Sequence, residues 1–228
     1  MQPQPFFQDP ELMSLYEKVQ VQERLTGEDG ITLYRSRDLL GVGCLANLAR
    51  ERLHGRRAYY IYNQHLNYSN VCVNGCRFCA FGKTADDPQA YTMTLSEVSA
   101  KVRERLGEPI TEIHIVGGLH PDLPFSYYLE MLRSLKALRP EVHLQAFTCV
   151  EIAHLADLAG LSVADTLQAL KEAGLGSIPG GGAEVFSPRV RTSLCPQKLS
   201  PEGWLSVAPV SYTHLTLPTS CVQCSSRG

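Results

Sequence analysis

"RAYYIYNQHLNYSNVCVNGCRFCAFG" (residues 57–82) joins a β-prone run to three cysteines, Cys72, Cys76 and Cys79, at the spacing C-x3-C-x2-C. Tyrosine, isoleucine and leucine in its first half read as a strand. Asparagine, serine and glycine in its second half read as a loop. The thiols therefore follow directly on a strand, at what would be the carboxyl end of a sheet, where α/β barrels place their chemistry. Three kinds of site fit such a loop. A structural zinc site needs four closed ligands, and the fourth would have to come from Cys44, His65 or Cys149. Free structural cysteines have no need to cluster on a glycine-containing loop. A [4Fe–4S] cluster held by three thiolates would leave one iron open to a small molecule.

Outward from this loop, strand and helix patterns alternate. "TLSEVSAKVRERLGE" (94–108) reads as a helix capped by Thr94 or Ser96, and "ITEIHIVGG" (110–118) as a strand ending in two glycines. "FSYYLEMLRSLKALRP" (125–140) is an amphipathic helix stopped by Pro140, and "VHLQAFTCV" (142–150) the next strand. "SVADTLQALKEAGLG" (162–176) reads as a helix, and "LGSIPGGGAE" (175–184) as a short strand with a glycine-rich end. This order predicts βα units on a parallel sheet. Four units fit in the roughly 150 residues from Ala58 to Val207, against about 250 for a full (β/α)₈ barrel. The expected fold is an α/β, TIM-type barrel truncated after about four units. Before it, residues 11–25 and 37–54 read as helices by their leucine spacing, the second capped by Ser36 and ended by Gly55. The expected organisation is a helical extension over 1–57, a core over 58–209 and a separate tail over 210–228.

That tail, "VSYTHLTLPTSCVQCSSRG", has no apolar period and is dominated by serine, threonine and cysteine. Its first ten residues resemble one reading frame of a transposase-type sequencing adapter. We expect the true reading frame to run into adapter sequence near Ala208, so that the natural C-terminus is missing, the alternative being a genuine disordered tail; Cys221 and Cys224 are left out of the site.

Bulk composition narrows the class. The chain has 228 residues, 44% hydrophobic and 19% charged, with a formal net charge of −2. This gives no electrostatic reason to expect a nucleic acid or an anionic membrane as partner. No apolar run approaches the roughly 20 residues that span a bilayer, and the first residues lack the basic and apolar regions of an export signal. Eight cysteines without such a signal point to a reducing compartment, the cytoplasm.

The motif C-x3-C-x-aromatic-C after the first strand, with Phe78 as the aromatic, resembles the radical S-adenosylmethionine (SAM) superfamily. The resemblance implies a TIM-type barrel, a [4Fe–4S] cluster on Cys72, Cys76 and Cys79, and SAM chelated at the open iron. It also implies an electron donor such as flavodoxin or ferredoxin. The glycine pair that this superfamily places beside the methionine moiety fits Gly117 and Gly118, although Leu119 stands where an acidic residue is usual. Longer segments, "AFTCVEIAHLA", "LKEAGLGSIPGGGAEVFSPRVR" and "LCPQKLSPEGWL" among them, are similar to the aminofutalosine synthase family of the futalosine route to menaquinone. That family's reaction is addition of the 5′-deoxyadenosyl radical to 3-[(1-carboxyvinyl)oxy]benzoate, an aromatic enol-ether acid, with loss of CO₂, giving 6-amino-6-deoxyfutalosine. Dehypoxanthine futalosine cyclase and the synthase of the deazaflavin chromophore are the related alternatives, and an inactive half-barrel is another. Polar candidates for the substrate are His120, Glu151 and Glu184, with Arg189 and Arg191 as carboxylate partners. Asp86 and Asp87 read as loop solvation.

Overall fold

The computed structural model describes residues 6–214, which fall into two compact units, 6–60 and 61–214. The first unit is helical: α1 (Glu11–Gln20), α2 (Gly27–Arg35) and α3 (Leu39–His54). Phe7, Leu12, Leu15 and Leu45 form its small core. The expected single helix over 11–25 stops at Gln20, and α2 is a separate helix with its own capping box from Thr26 and Asp29. Asp38, not Ser36, caps α3 by accepting from the Gly41 N–H at 2.8 Å, while Ser36 ends α2. Gly55 closes α3 at a left-handed φ of 59°, which glycine adopts without steric cost.

The second unit is built on three parallel strands, β1 (Asn63–Leu66), β2 (Glu112–Ile115) and β3 (His143–Ala146), in the order β1-β2-β3. Helices α4 (Leu95–Arg103) and α5 (Phe125–Leu138) connect them. Then come α6 (Cys149–Ala159), α7 (Val163–Glu172), α8 (Pro188–Leu194) and α9 (Pro201–His214). The fourth strand expected over 175–184 is reduced to a parallel bridge between Gln145 and Ser177. Gly176 N donates to Leu144 O at 2.9 Å, and Ala146 N to Ser177 O at 3.0 Å. The chain thus takes the fourth place beside β3, and the proline and glycines after Ile178 stop the ladder there. The architecture is a partial TIM-type α/β barrel.

Period-2 alternation decides the two faces of the sheet. Leu66, Ile113, Ile115, Leu144 and Ala146 are buried against Val98, Val102, Tyr128, Met131, Leu132 and Leu135 of the helices. Each such leucine or isoleucine contributes roughly 1.5–3 kcal/mol by leaving water. The opposite face carries polar rows set by the register, Asn63–Glu112–His143 and His65–His114–Gln145. His114 Nδ1 lies 2.5 Å from Gln145 Oε1, and its ring is 5.1 Å from that of His65.

The strand expected over 142–150 ends early. Thr148 opens α6 with a capping box, its hydroxyl accepting from the Glu151 N–H while the Glu151 carboxylate accepts from the Thr148 N–H. Glu151 therefore sits on the first turn of a helix rather than at a strand end. Helix α9 continues through Pro209 and crosses residue 210, with Ser211 buried. Cys221 and Cys224 lie outside the described residues. Among the described residues no helix is long and apolar enough to cross a membrane.

Candidate functional site

The cysteine loop leaves β1 and lies along the extension of β2. Gly118 N donates to Ser69 O at 2.9 Å, and Val73 N to Leu119 O at 3.0 Å. Asn70 pins the outer side, with Tyr91 N donating to its Oδ1 at 2.7 Å and its Nδ2 donating to Gln89 O at 2.9 Å. The loop and the glycine turn are so close that a Cβ on Gly118 would overlap the Val71 carbonyl and reach 3.0 Å from Cys72 Cβ. A Cβ on Gly117 would clash with the hydroxyl end of the Tyr68 ring, at its Cζ. The glycine pair is needed for space; neither residue takes a left-handed φ.

Cys72, Cys76 and Cys79 all line one pocket of about 230 Å³, together with Phe78, Gly117 and Gly118. Backbone N–H groups already address two of the sulfurs: Asn74 donates to Cys72 Sγ at 3.4 Å and Gly82 to Cys79 Sγ at 3.2 Å. Burial raises the Cys76 thiol above its usual range, an effect opposed by the positive charge of Lys198. Among the described residues no three His, Cys, Asp or Glu side chains converge at metal-ligand distance. The three thiols share a pocket without yet pointing at one centre.

The rest of the lining comes from the turn after β2, from the start of α6 and from the segment 182–198. Glu151 is 3% exposed and binds three elements at once. Its Oε1 accepts from the Gly117 N–H at 3.0 Å and lies 3.3 Å from the Tyr68 hydroxyl; its Oε2 accepts from the Thr148 N–H at 2.8 Å. Burial nevertheless raises its pKa, these hydrogen bonds pulling the other way. Burial likewise raises the Tyr68 phenol far above its ordinary value. Lys198 reaches in from the chain after α8. Its ammonium donates to Glu184 Oε1 at 2.6 Å and lies 5.7 Å from the centroid of the Phe78 ring.

Of the substrate candidates, Glu151 and Glu184 line the pocket. His120 does not; its Nδ1 accepts from the Asp122 and Leu123 N–H groups and so closes a turn. Arg191 is buried and committed to backbone, donating to the carbonyls of Ala183, Val185, Lys198 and Leu199. It is a clamp rather than a carboxylate receptor. Arg189 is exposed, and Asp87 pairs with Lys83 at 3.8 Å. Cys149, a zinc-ligand alternative, lies in the core, where burial lifts its thiol to about 11. Sequence reasoning missed Lys198, Asn74 and Thr148. Only Thr148 carried a local signal, the T-x-x-E capping pattern.

A family model for the radical SAM superfamily matches residues 66–208, and the chain belongs to that superfamily. Among curated relatives, it is 43% identical over 212 residues to the aminodeoxyfutalosine synthase of Thermus thermophilus, covering 93% of this chain and 57% of that protein. It is 45% identical over 207 residues to the enzyme of the same name from Streptomyces coelicolor, covering 91% and 53%. A 5-amino-6-(D-ribitylamino)uracil–L-tyrosine 4-hydroxyphenyl transferase of Methanopyrus kandleri is 43% identical over 176 residues, covering 77% and 47%. The chain spans about half the length of these relatives. Among solved structures, a methylornithine synthase superposes with a TM-score of 0.63 at 18% identity, covering 88% of this chain and 56% of that one. An [FeFe]-hydrogenase maturase from Carboxydothermus hydrogenoformans gives 0.63 at 20% identity, covering 90% and 46%. These two likenesses show the fold.

Proposed function

We propose that the chain carries the cluster- and SAM-binding part of an enzyme that adds an adenosyl radical to 3-[(1-carboxyvinyl)oxy]benzoate, forming 6-amino-6-deoxyfutalosine. The observation that carries this reading is the meeting of Cys72, Cys76 and Cys79 with Gly117 and Gly118 in one pocket. The 43–45% identity to two aminodeoxyfutalosine synthases over more than nine-tenths of the chain supports the particular reaction.

The donor set fits an iron–sulfur cluster: three soft thiols and no other ligand type among the three loop positions. When bound, the cluster and SAM supply an electron and an adenosyl radical. The chain's own residues do the rest. Cys72, Cys76 and Cys79 are the thiolate ligands, and the N–H groups of Asn74 and Gly82 orient the outer two sulfurs. Gly117 and Gly118 let the cysteine loop and the Tyr68 ring pack directly against the turn after β2, which any side chain there would prevent. Phe78, Phe81, Val116, Leu119 and Val150 give the pocket an apolar lining. Glu151 holds the Gly117 N–H and so fixes the strand end against helix α6. The electron comes from an external one-electron donor of the flavodoxin or ferredoxin kind, and the compartment is the cytoplasm.

Anaerobic reconstitution should load about four irons per chain, and Cys72→Ala, Cys76→Ala or Cys79→Ala should each abolish loading. Stoichiometric zinc without iron–sulfur absorption would end the reading. With SAM labelled in its adenosyl part, reductant and the enol-ether acid, label should enter an aminodeoxyfutalosine-sized product with release of CO₂. The relative from Methanopyrus kandleri, equal in identity to the one from Thermus thermophilus, keeps a second reading, the deazaflavin-chromophore branch. Label confined to 5′-deoxyadenosine, with turnover only on tyrosine and a ribitylaminouracil, would favour it.

A further inference from the structure

Among the described residues lining the cysteine pocket, Lys198 is the sole cationic side chain, and it shares the pocket with two acidic ones, Glu151 and Glu184. The two acids are not equivalent. Glu151 is fully occupied by backbone N–H groups and a tyrosine hydroxyl. Glu184 has no such duty: its side chain is 34% exposed, against 12% for Lys198, and Lys198 is its ion-pair partner. Glu184 also sits at φ 56°, a left-handed conformation uncommon for a residue with a side chain and frequent at ligand-binding positions. Arg191 fixes both backbones, through the carbonyls that flank Glu184 and through Lys198 O. Breaking the pair therefore requires only that the Glu184 side chain turn out to water.

We infer that Lys198 is the anion anchor of this pocket, that it holds a carboxylate of the bound ligand, and that Glu184 is a placeholder which the ligand's carboxylate displaces. The Phe78 ring, already under the ammonium, keeps the cation in place during the exchange. The inference rests on the proposed function only for which carboxylate arrives, an α-amino acid of the kind SAM carries or an aromatic acid. An acid-lined pocket would otherwise repel either one.

Calorimetry or ligand-detected NMR on the iron-loaded protein decides the matter, with L-methionine and isophthalate as the two carboxylate probes and their methyl esters as neutral controls. Lys198→Met should weaken the anchored probe about tenfold or more, the scale of one charge-assisted hydrogen bond, and Lys198→Arg should keep most of the affinity. Glu184→Gln should tighten the same probe several-fold, because the competing carboxylate is gone. The esters should bind weakly to every variant. Whichever probe shows this pattern names the source of the carboxylate. No carboxylate binding by the unaltered protein, weakening by Glu184→Gln, esters binding as well as acids, or indifference to Lys198→Met would each overturn the anchor. Should Lys198→Met fail to fold, the sign of the Glu184→Gln effect still decides. Iron content in the same samples separates the two readings. Carboxylate binding without iron leaves the anchor and removes the radical chemistry; iron without a Lys198 effect does the reverse.

Discussion

The two walls of the cysteine pocket are built on different physics. On the strand side, Tyr68, Gly117, Gly118 and Glu151 meet by close packing and backbone hydrogen bonds, with Tyr68 and Glu151 almost wholly buried. On the far side, residues 182–198 contain no strand, one short helix, and two charged devices: the Arg191 clamp and the Lys198–Glu184 pair. A wall held by sterics has one arrangement. A wall held by ionic pairs can exchange partners while its backbone stays fixed. Substitutions on the strand side should therefore be read in folding and iron loading together, and those in the Lys198–Glu184 pair of the far side in ligand affinity.

The largest effect that would sharpen this contrast is at Gly118. Its Cβ position is occupied by the Val71 carbonyl, a backbone atom held in the loop by its neighbours' hydrogen bonds, so nothing flexible can give way. Gly118→Ala should cost about 3 kcal/mol, the upper end for overpacking, measured by urea unfolding, and should lower iron loading through displacement of Cys72. A variant as stable as the parent would mean that the strand wall yields, and the contrast would fail.

Arg191→Met comes next. Four carbonyls lose a charged donor, and those left buried without a partner each carry a penalty of roughly 1–3 kcal/mol. Because the segment is partly exposed, water replaces some of the bonds, and a net loss of about 2 kcal/mol is expected by the same measurement. Unlike Gly118→Ala, this variant should still load iron, while losing the effect of Glu184→Gln on carboxylate binding. Equal loss of iron in both variants would show that the walls are not independent.

The strand side was the more legible in the sequence, for the same physical reason. Alternation in "ITEIHIVGG" and "VHLQAFTCV" marks strands because one face must be buried, and three cysteines within eight positions mark the loop because such clustering has no use in a core. The end of β3 was misplaced because "FTCV" is β-prone by composition while Thr148 and Glu151 form a capping box that starts α6. The fourth strand was overdrawn because Leu175 and Ile178 are buried like strand residues, although only Ser177 bridges. On the far side little was legible. Arg191 looks like a ligand-binding arginine until its four carbonyl partners are seen, and Lys198 looks like any surface lysine until Glu184 and Phe78 are placed beside it. Ion pairs between distant segments leave no period in the sequence.

The smallest effect expected tests whether burial or hydrogen bonding governs Glu151. Folding raises its pKa above the ordinary 4.5, with desolvation as the largest cause and the Thr148 and Gly117 N–H groups opposing it. The sign follows from linkage: a carboxyl whose pKa is raised on folding contributes stability that is fully present below its ordinary value and is lost as pH rises through the folded value. Glu151→Gln cannot titrate. Its amide turns one N–H toward a backbone donor, so it should be less stable than the parent by about 1 kcal/mol near pH 4.5, the worth of one misplaced hydrogen bond. That deficit should shrink as pH rises toward 8, because the parent then bears the cost of a buried charge that the variant lacks. Urea midpoints for both proteins at half-unit steps from pH 4.5 to 8 give the comparison directly. Parallel curves would mean that the carboxyl titrates alike folded and unfolded. A deficit growing with pH would mean that the backbone N–H groups outweigh desolvation, making Glu151 a charged clamp on the glycine turn.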